Sequence, residues 1–317
     1  MQEIKNGIDR THLNKVPSKS KITNSFIFFY FTKYKGSVKQ TQKQSKFTNP
    51  KFRTIICPLR PCEESPPEIT LPPSSRKNKT MEKRHDIKGI LFNFSGTIDT
   101  EGSDWFDLIW KEYREIGIPI TKSDYLAAHE FAEKEISEKG LIEPWFNFYF
   151  TLHTKLSLQI KYLISKGLLS DNRCTQKYAQ QLATICYNMA IMYVRQNEKT
   201  LENLVKQYRL GIVAQSYGNL PAVLVDFGLA SYFTDVIESS MVNLSKPDKE
   251  IFRLSVNALH IEPEETLCVS NSLNSDLLPA KDIGCKTAWL CQRTVPQAKR
   301  VSNYHIASLK ELNNLLS

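Results

Sequence analysis

The chain contains no run of about 18 apolar residues, the length a helix needs to cross a bilayer. Its best apolar stretch, around Phe26 to Phe31, is too short to span. That stretch also lies late for a secretion signal, and no small-residue cleavage site follows it. No membrane partner is expected. A cysteine framework is missing as well. The seven cysteines (Cys57, Cys62, Cys174, Cys186, Cys268, Cys285 and Cys291) are odd in number, and no C-x-x-C or paired-histidine spacing suggests zinc. Thiols without a framework point to a reducing, cytoplasmic setting. His129 and His153 fall in helical stretches and read as surface or packing residues.

A basic body is also lacking. The formal charge is +9, but residues 1–80 alone carry 16 Lys+Arg and 5 Asp+Glu, a net of +11. The rest of the chain is left at −2, so nucleic acid is not an expected partner of the folded part. Residues 1–80 sustain no helical or strand period and turn proline-rich from Pro58 to Pro73. Such a segment buries too little apolar area to offset the entropy of ordering and is expected to be disordered. It reads as an upstream extension with Met81 as the start, ahead of a basic binding arm or a targeting segment.

From Ile87 onward the pattern is regular. Ile87 to Asn93 is a buried strand. Trp105 to Ile116 is a helix stopped by Gly117 and Pro119. A long helix opens at Pro144 and closes at Gly167, with a spine of Tyr149, Leu152, Leu156, Ile160 and Leu163. Another carries Tyr178, Leu182, Ile185, Met189 and Tyr193. Trp145, Phe146, Phe148 and Phe150 read as helix-packing core, with a pocket lining as the alternative. Strands at Leu210 to Gln215, Val236 to Ser239, Thr266 to Ser270, Lys286 to Leu290 and His305 to Ala307 then alternate with helices. The helices are Leu220 to Phe227, Pro247 to Leu259, Leu277 to Ile283 and Leu309 to Leu316. Alternation of this kind means an α/β, doubly wound parallel sheet, Rossmann-like, with ligands at the carboxyl ends of its strands.

Four strand ends carry the candidate site: L-F-N-F-S-G-T (Leu91 to Thr97), A-Q-S-Y-G-N (Ala214 to Asn219), S-K-P-D (Ser245 to Asp248) and V-S-N-S-L-N-S-D (Val269 to Asp276). In order and spacing they resemble the four motifs of the haloacid dehalogenase superfamily. The resemblance covers roughly 235 residues. It implies a core over 81–104 and 197–317, and a helical cap of the C1 type over 105–196.

The resemblance also implies roles. An aspartate at position 93 would attack phosphorus, and an acid at position 95 would protonate the leaving group and then activate water. Ser216 and Lys246 would hold phosphoryl oxygens, Thr97 would support the first motif, and carboxylates at 93, 271 and 276 would hold Mg²⁺. This chain departs at three of those places. Asn93 stands at the nucleophile position, Ser95 at the acid/base position, and Asn271 at the first fourth-motif ligand position. Thr97, Ser216, Lys246 and Asp276 match. A site with one lysine and one aspartate is nearly neutral, so Mg²⁺ binding is expected to be weak or absent.

Phosphate is still expected to be attracted by Lys246, by the Ser216 hydroxyl and by backbone N–H groups after Asn93. The expected function is therefore that of a catalytically impaired phosphatase-like protein that binds a phosphorylated small molecule or partner. Two alternatives stand beside it. One is an active hydrolase that borrows Asp99 or Glu101, whose register points to a flap near the cap. The other is a binding module acting through the basic arm. A metal-free dehalogenase is disfavoured, because that chemistry keeps the first aspartate and a shorter fourth-motif spacing.

Overall fold

The structure, a computed structural model, describes residues 87–292 and 301–317. The expected extension over 1–80 and the basic-arm reading fall outside the described residues. Six strands form one parallel sheet: β1 (Gly89–Phe92), β2 (Arg209–Ala214), β3 (Asp235–Glu238), β4 (Thr266–Ser270), β5 (Lys286–Leu290) and β6 (Tyr304–Ile306). Their spatial order is β3-β2-β1-β4-β5-β6. The chain winds outward from β1 to β3 and then returns to the other side of β1. A crevice therefore opens at the carboxyl ends of β1 and β4, where the order reverses.

Period-two alternation decides which face each strand residue covers. Ile90 and Phe92 of β1 join one apolar layer, with Ile212, Val269 and Ala288. Leu91 joins the opposite layer, with Val213, Ile237 and Cys268. Both faces are covered by helices, which is why the strands read as continuous apolar runs. α5 (Leu220–Asp226) and α8 (Glu311–Leu315) lie on the first face. α6 (Lys249–Ala258) and α7 (Leu278–Asp282) lie on the second.

Four helices stand between β1 and β2: α1 (Trp105–Glu115), α2 (Lys122–Lys139), α3 (Phe148–Ser165) and α4 (Thr175–Leu204). They enclose a separate apolar cluster of Ile109, Tyr113, Tyr125, Leu152, Leu156, Leu182 and Cys186. Its two buried tyrosines are satisfied. Tyr113 donates to Gln159 Oε1 at 2.8 Å and Tyr125 to the Phe106 carbonyl at 2.9 Å.

Five details differ from the sequence expectation. The sequence places a helical stretch at His129 but gives α2 no bounds, because this helix buries little more than Tyr125, Ala128, Ala132 and Ile136 beneath a charged exterior. A reciprocal cap starts it, Thr121 Oγ1 accepting from the Asp124 N–H and Asp124 from the Thr121 N–H. α3 begins at Phe148, not at Pro144, because Asn147 caps it by accepting from the Phe150 N–H at 3.0 Å. α4 runs unbroken through the boundary expected at 196/197. Its cap-side half faces the helical cluster, and its last turns, with Val194, Leu201 and Leu204, pack on the sheet. The buried stripe of α4 is Ala179, Leu182, Ala183, Cys186, Ala190 and Val194. Ile185, Met189 and Tyr193 stand at its margin. Small residues on that stripe let α3 approach closely, which a reading weighted to large side chains overlooks. The aromatic group splits: Phe148 packs against both clusters, while Trp145 and Phe150 are exposed.

Among the described residues no helix is long and apolar enough to cross a membrane.

Candidate active site

β1 delivers Asn93 to the crevice. Its backbone N–H continues the pairing with β4, donating to the Val269 carbonyl at 3.0 Å. A wide helical turn over Phe94–Ile98 follows, and Gly96 sits there at φ 83°. Glycine is required twice over at this position. A positive φ is costly for any residue with a Cβ, and a Cβ here would lie 2.4 Å from Asn271 Nδ2. The tight turn thus brings the first and fourth motifs into direct contact. Thr97 is fully buried beneath them, and its Oγ1 accepts from the Asn271 N–H at 3.3 Å. The Asn271 carbonyl is held from the other side by the Trp289 indole N–H at 2.9 Å.

The side chain of Asn93 is spent on the protein itself. Its Oδ1 accepts from Lys246 Nζ at 3.0 Å, and its Nδ2 donates to the Ser95 carbonyl at 2.6 Å. Lys246 also pairs with Asp276 at 2.6 Å, with both side chains nearly sealed from solvent, at 4% and 2% exposure. The second oxygen of Asp276 accepts from Ser270 Oγ at 2.6 Å. Ser95 is exposed toward the crevice. Asn93, Ser95, Lys246, Asn271 and Asp276 line one cavity of about 270 Å³, together with Asp104 and Trp105 at the start of the helical part. Most of the expected site is thus assembled.

Ser216 is not part of that cavity. It lines a neighbouring cavity of about 970 Å³, which shares Asp104 and Gln215 with the first. The Ser216 hydroxyl donates to Glu238, a fully buried carboxylate at the end of β3. The same Glu238 oxygen accepts from the N–H groups of Gly218 at 3.1 Å and Leu220 at 3.2 Å. Its other oxygen has no partner. Burial raises the Glu238 carboxyl above its usual range, against those three bonds. The hydroxyl expected to meet phosphate thus points to a carboxylate in this structure. Of the backbone donors expected after Asn93, the Gly96 N–H is committed to Asp99 Oδ1 at 2.8 Å.

Asp99 is not available as a substitute nucleophile. It is fully buried, its second oxygen accepts from the Trp105 indole at 2.7 Å, and it lines neither cavity. Desolvation pushes its carboxyl up to about 7 despite the bonds from Trp105 and Gly96. Glu101 is turned inward to the Leu309 N–H at 3.3 Å. Asp99 therefore closes the turn and ties it to α1.

The helical part contributes residues that no motif announced. His129 and Glu133 of α2 line the larger cavity opposite Tyr217. Tyr217 donates to the Glu133 carboxylate at 2.9 Å, and Lys155 of α3 forms an ion pair with it. Burial would raise the Glu133 carboxyl, but the Lys155 ammonium holds it below its usual range. His129, read as a surface or packing residue, packs its ring on Phe106 and also lines the cavity with an unpartnered Nδ1. Burial and the nearby Lys155 charge push its imidazole down to about 4. The adjacency of Tyr217 to Ser216 in the chain was the one available signal for this contact.

The positions expected to hold a metal carry few anionic oxygens. Mg²⁺ takes oxygen ligands in octahedral array, usually one or two carboxylates completed by waters and substrate phosphate. Here Asn93 and Asn271 are neutral amides, and Asp276 is already paired with Lys246. Among the described residues no group of three or more His, Cys, Asp or Glu side chains converges for a metal.

Residues 90–290 match the family model of the haloacid dehalogenase-like hydrolases. A glyceraldehyde 3-phosphate phosphatase of Methanocaldococcus jannaschii is 30% identical over 244 residues, 73% of this chain and 97% of that protein. A glyceraldehyde 3-phosphate phosphatase of Methanothermobacter thermautotrophicus is 24% identical, over 68% of this chain and 89% of that protein. A solved dehalogenase with an intermediate complex shares the fold, with a TM-score of 0.51 at 18% identity over 73% of this chain and 98% of its own. With the parallel sheet, the helices after β1 and the four strand-end motifs in place, these matches show that the chain belongs to the haloacid dehalogenase-like hydrolase family.

Proposed function

We propose that this chain is a phosphohydrolase-type member of its family with an impaired catalytic cycle, a pseudo-phosphatase that keeps a pocket for a phosphorylated small molecule or partner. The observation that carries this reading is the Asn93 amide. Attack on phosphorus needs an anionic lone pair and an acyl-phosphate that water can later cleave. A carboxamide supplies neither, and this one is fixed between Lys246 and the Ser95 carbonyl. Ser95 cannot exchange a proton near neutral pH, so the general acid/base is missing as well. With Asp276 neutralised by Lys246, Mg²⁺ is held weakly or not at all.

What is left favours holding an anion over transforming it. Lys246 supplies the positive charge at the cavity floor, Ser95 an exposed hydroxyl, and the helical part a wall. The names of the two archaeal relatives support a phosphorylated small molecule as the ligand class. A reducing cytoplasmic setting belongs to the same reading, and the buried thiols of Cys186, Cys268 and Cys285 support it.

Rebuilding the missing groups tests the reading. The triple variant Asn93→Asp, Ser95→Asp, Asn271→Asp is expected to hydrolyse p-nitrophenyl phosphate with Mg²⁺, and Lys246→Ala added to it should abolish turnover. A folded, Mg²⁺-binding triple variant that stays at background would contradict the reading.

A further inference from the structure

Glu238 stands at the carboxyl end of β3, beside the two cavities, and no motif accounts for it. It is 0% exposed, yet it is an acid. Three donors converge on its Oε2: the Ser216 hydroxyl and the N–H groups of Gly218 and Leu220. Its Oε1 is buried without a partner. Two backbone bonds hold the carboxylate in place, and the third bond takes the hydroxyl of the second motif's serine. Gln215, the residue before Ser216, lines both cavities, so this hydroxyl lies at the junction between them.

A hydroxyl has one proton. While it points at Glu238 it cannot also donate to a ligand oxygen. A charge-assisted bond to phosphate contributes roughly tenfold in affinity. Lys246 is the remaining cation of the smaller cavity, and it is already shared between Asn93 and Asp276. The chain therefore meets an incoming anion with its donors occupied by its own side chains.

We propose that Glu238 is a specificity-determining residue that occupies the Ser216 hydroxyl in place of a phosphoryl oxygen, and so keeps this pocket's affinity for phosphate low. The proposal rests on the phosphate-ligand reading above. It adds the residue that sets how strongly the pocket competes for that ligand. A loop cap alone would also place a carboxylate here, and the two roles differ in what happens to phosphate binding when the carboxylate is removed.

The test is calorimetric titration of inorganic phosphate into the full chain and its variants, with thermal unfolding as the check of folding. Glu238→Ala, and independently Glu238→Thr, free the Ser216 hydroxyl and are expected to raise phosphate affinity about tenfold. Ser216→Ala added to either is expected to remove that gain. Glu238→Gln still presents an acceptor to the same three donors and is expected to stay within about threefold of the wild type. Folded Ala and Thr variants that bind phosphate no tighter than the wild type would overturn the proposal and leave Glu238 as a cap. If the wild type binds no phosphate while these variants do, the proposal stands and the phosphate-ligand reading fails. If no form binds phosphate, both fail.

Discussion

The Lys246 ammonium lies 2.6 Å from the Asp276 carboxylate, in a pair almost closed to water. Each charge was costly to desolvate and is tolerable because of the other. The pair thus holds the third and fourth motifs together, and Asp276 offsets part of the charge that Lys246 presents to the cavity. Removing one partner leaves the other buried and unpaired. Lys246→Ala and Asp276→Asn are each expected to cost about 3–5 kcal/mol in urea unfolding. The double variant Lys246→Met, Asp276→Leu should be less destabilised than the sum of its two single changes. Strict additivity would show that the two groups do not form a coupled buried pair.

Gly96 carries a second prediction. Its φ of 83° and the 2.4 Å approach of a built Cβ to Asn271 Nδ2 are separate penalties. Gly96→Ala is expected to destabilise by about 2–4 kcal/mol, summing backbone strain and overpacking. Asn271→Ala in that background should return the steric part and leave a residual of about 1–2 kcal/mol from the backbone. A full recovery would mean that φ at this turn is unimportant.

Asp99 makes stability depend on pH in an unusual direction for a carboxylate. Desolvation raises its carboxyl from 3.8 to about 7 in the fold. The protonated form is therefore favoured by folding. Its contribution is fully present below the unfolded value and is lost as pH rises through about 7. Asp99→Asn removes that titration. The stability difference, wild type minus Asp99→Asn, is expected to fall between about pH 4 and pH 7 and to level off above. Urea unfolding across that range checks it, and a difference that rises with pH would contradict it.

The metal prediction concerns the donor set. Wild-type protein is expected to show no saturable Mg²⁺ binding in the low-millimolar range by calorimetry. Asn93→Asp with Asn271→Asp adds two carboxylates beside Asp276 and is expected to create such a site. Equal Mg²⁺ affinity in the two proteins would show that the neutral amides are not what governs the metal.

The strands and their terminal motifs were legible in the sequence because a buried parallel strand is a short apolar run with a turn after it. Ile90 to Phe92, Leu210 to Ala214 and Leu267 to Ser270 need no tertiary information to be recognised. Asn93, Ser95, Lys246, Asn271 and Asp276 could be expected together because each ends a strand or lies in the loop beyond it, on one side of the sheet. The helices were harder wherever small residues make the contact. Ala128 and Ala132 of α2 and Ala183 and Ala190 of α4 bury completely, yet they carry little apolar signal. Glu238 and Glu133 could not be read at all. A glutamate is ordinarily a surface residue, and only the fold shows Ser216 and Tyr217 turned onto these two carboxylates. Ser216 was legible as a position, but the direction of its hydroxyl is a tertiary fact.

On the proposed reading, a neutral Asn93, fixed by Lys246, leaves the chain without a phosphoryl acceptor. The most direct measurement is turnover of p-nitrophenyl phosphate by the purified wild-type protein with Mg²⁺, beside Lys246→Ala prepared in the same way. Rates that are equal in the two proteins and indistinguishable from buffer are the predicted result. Mg²⁺-dependent turnover by the wild type, lost in Lys246→Ala, would contradict the account.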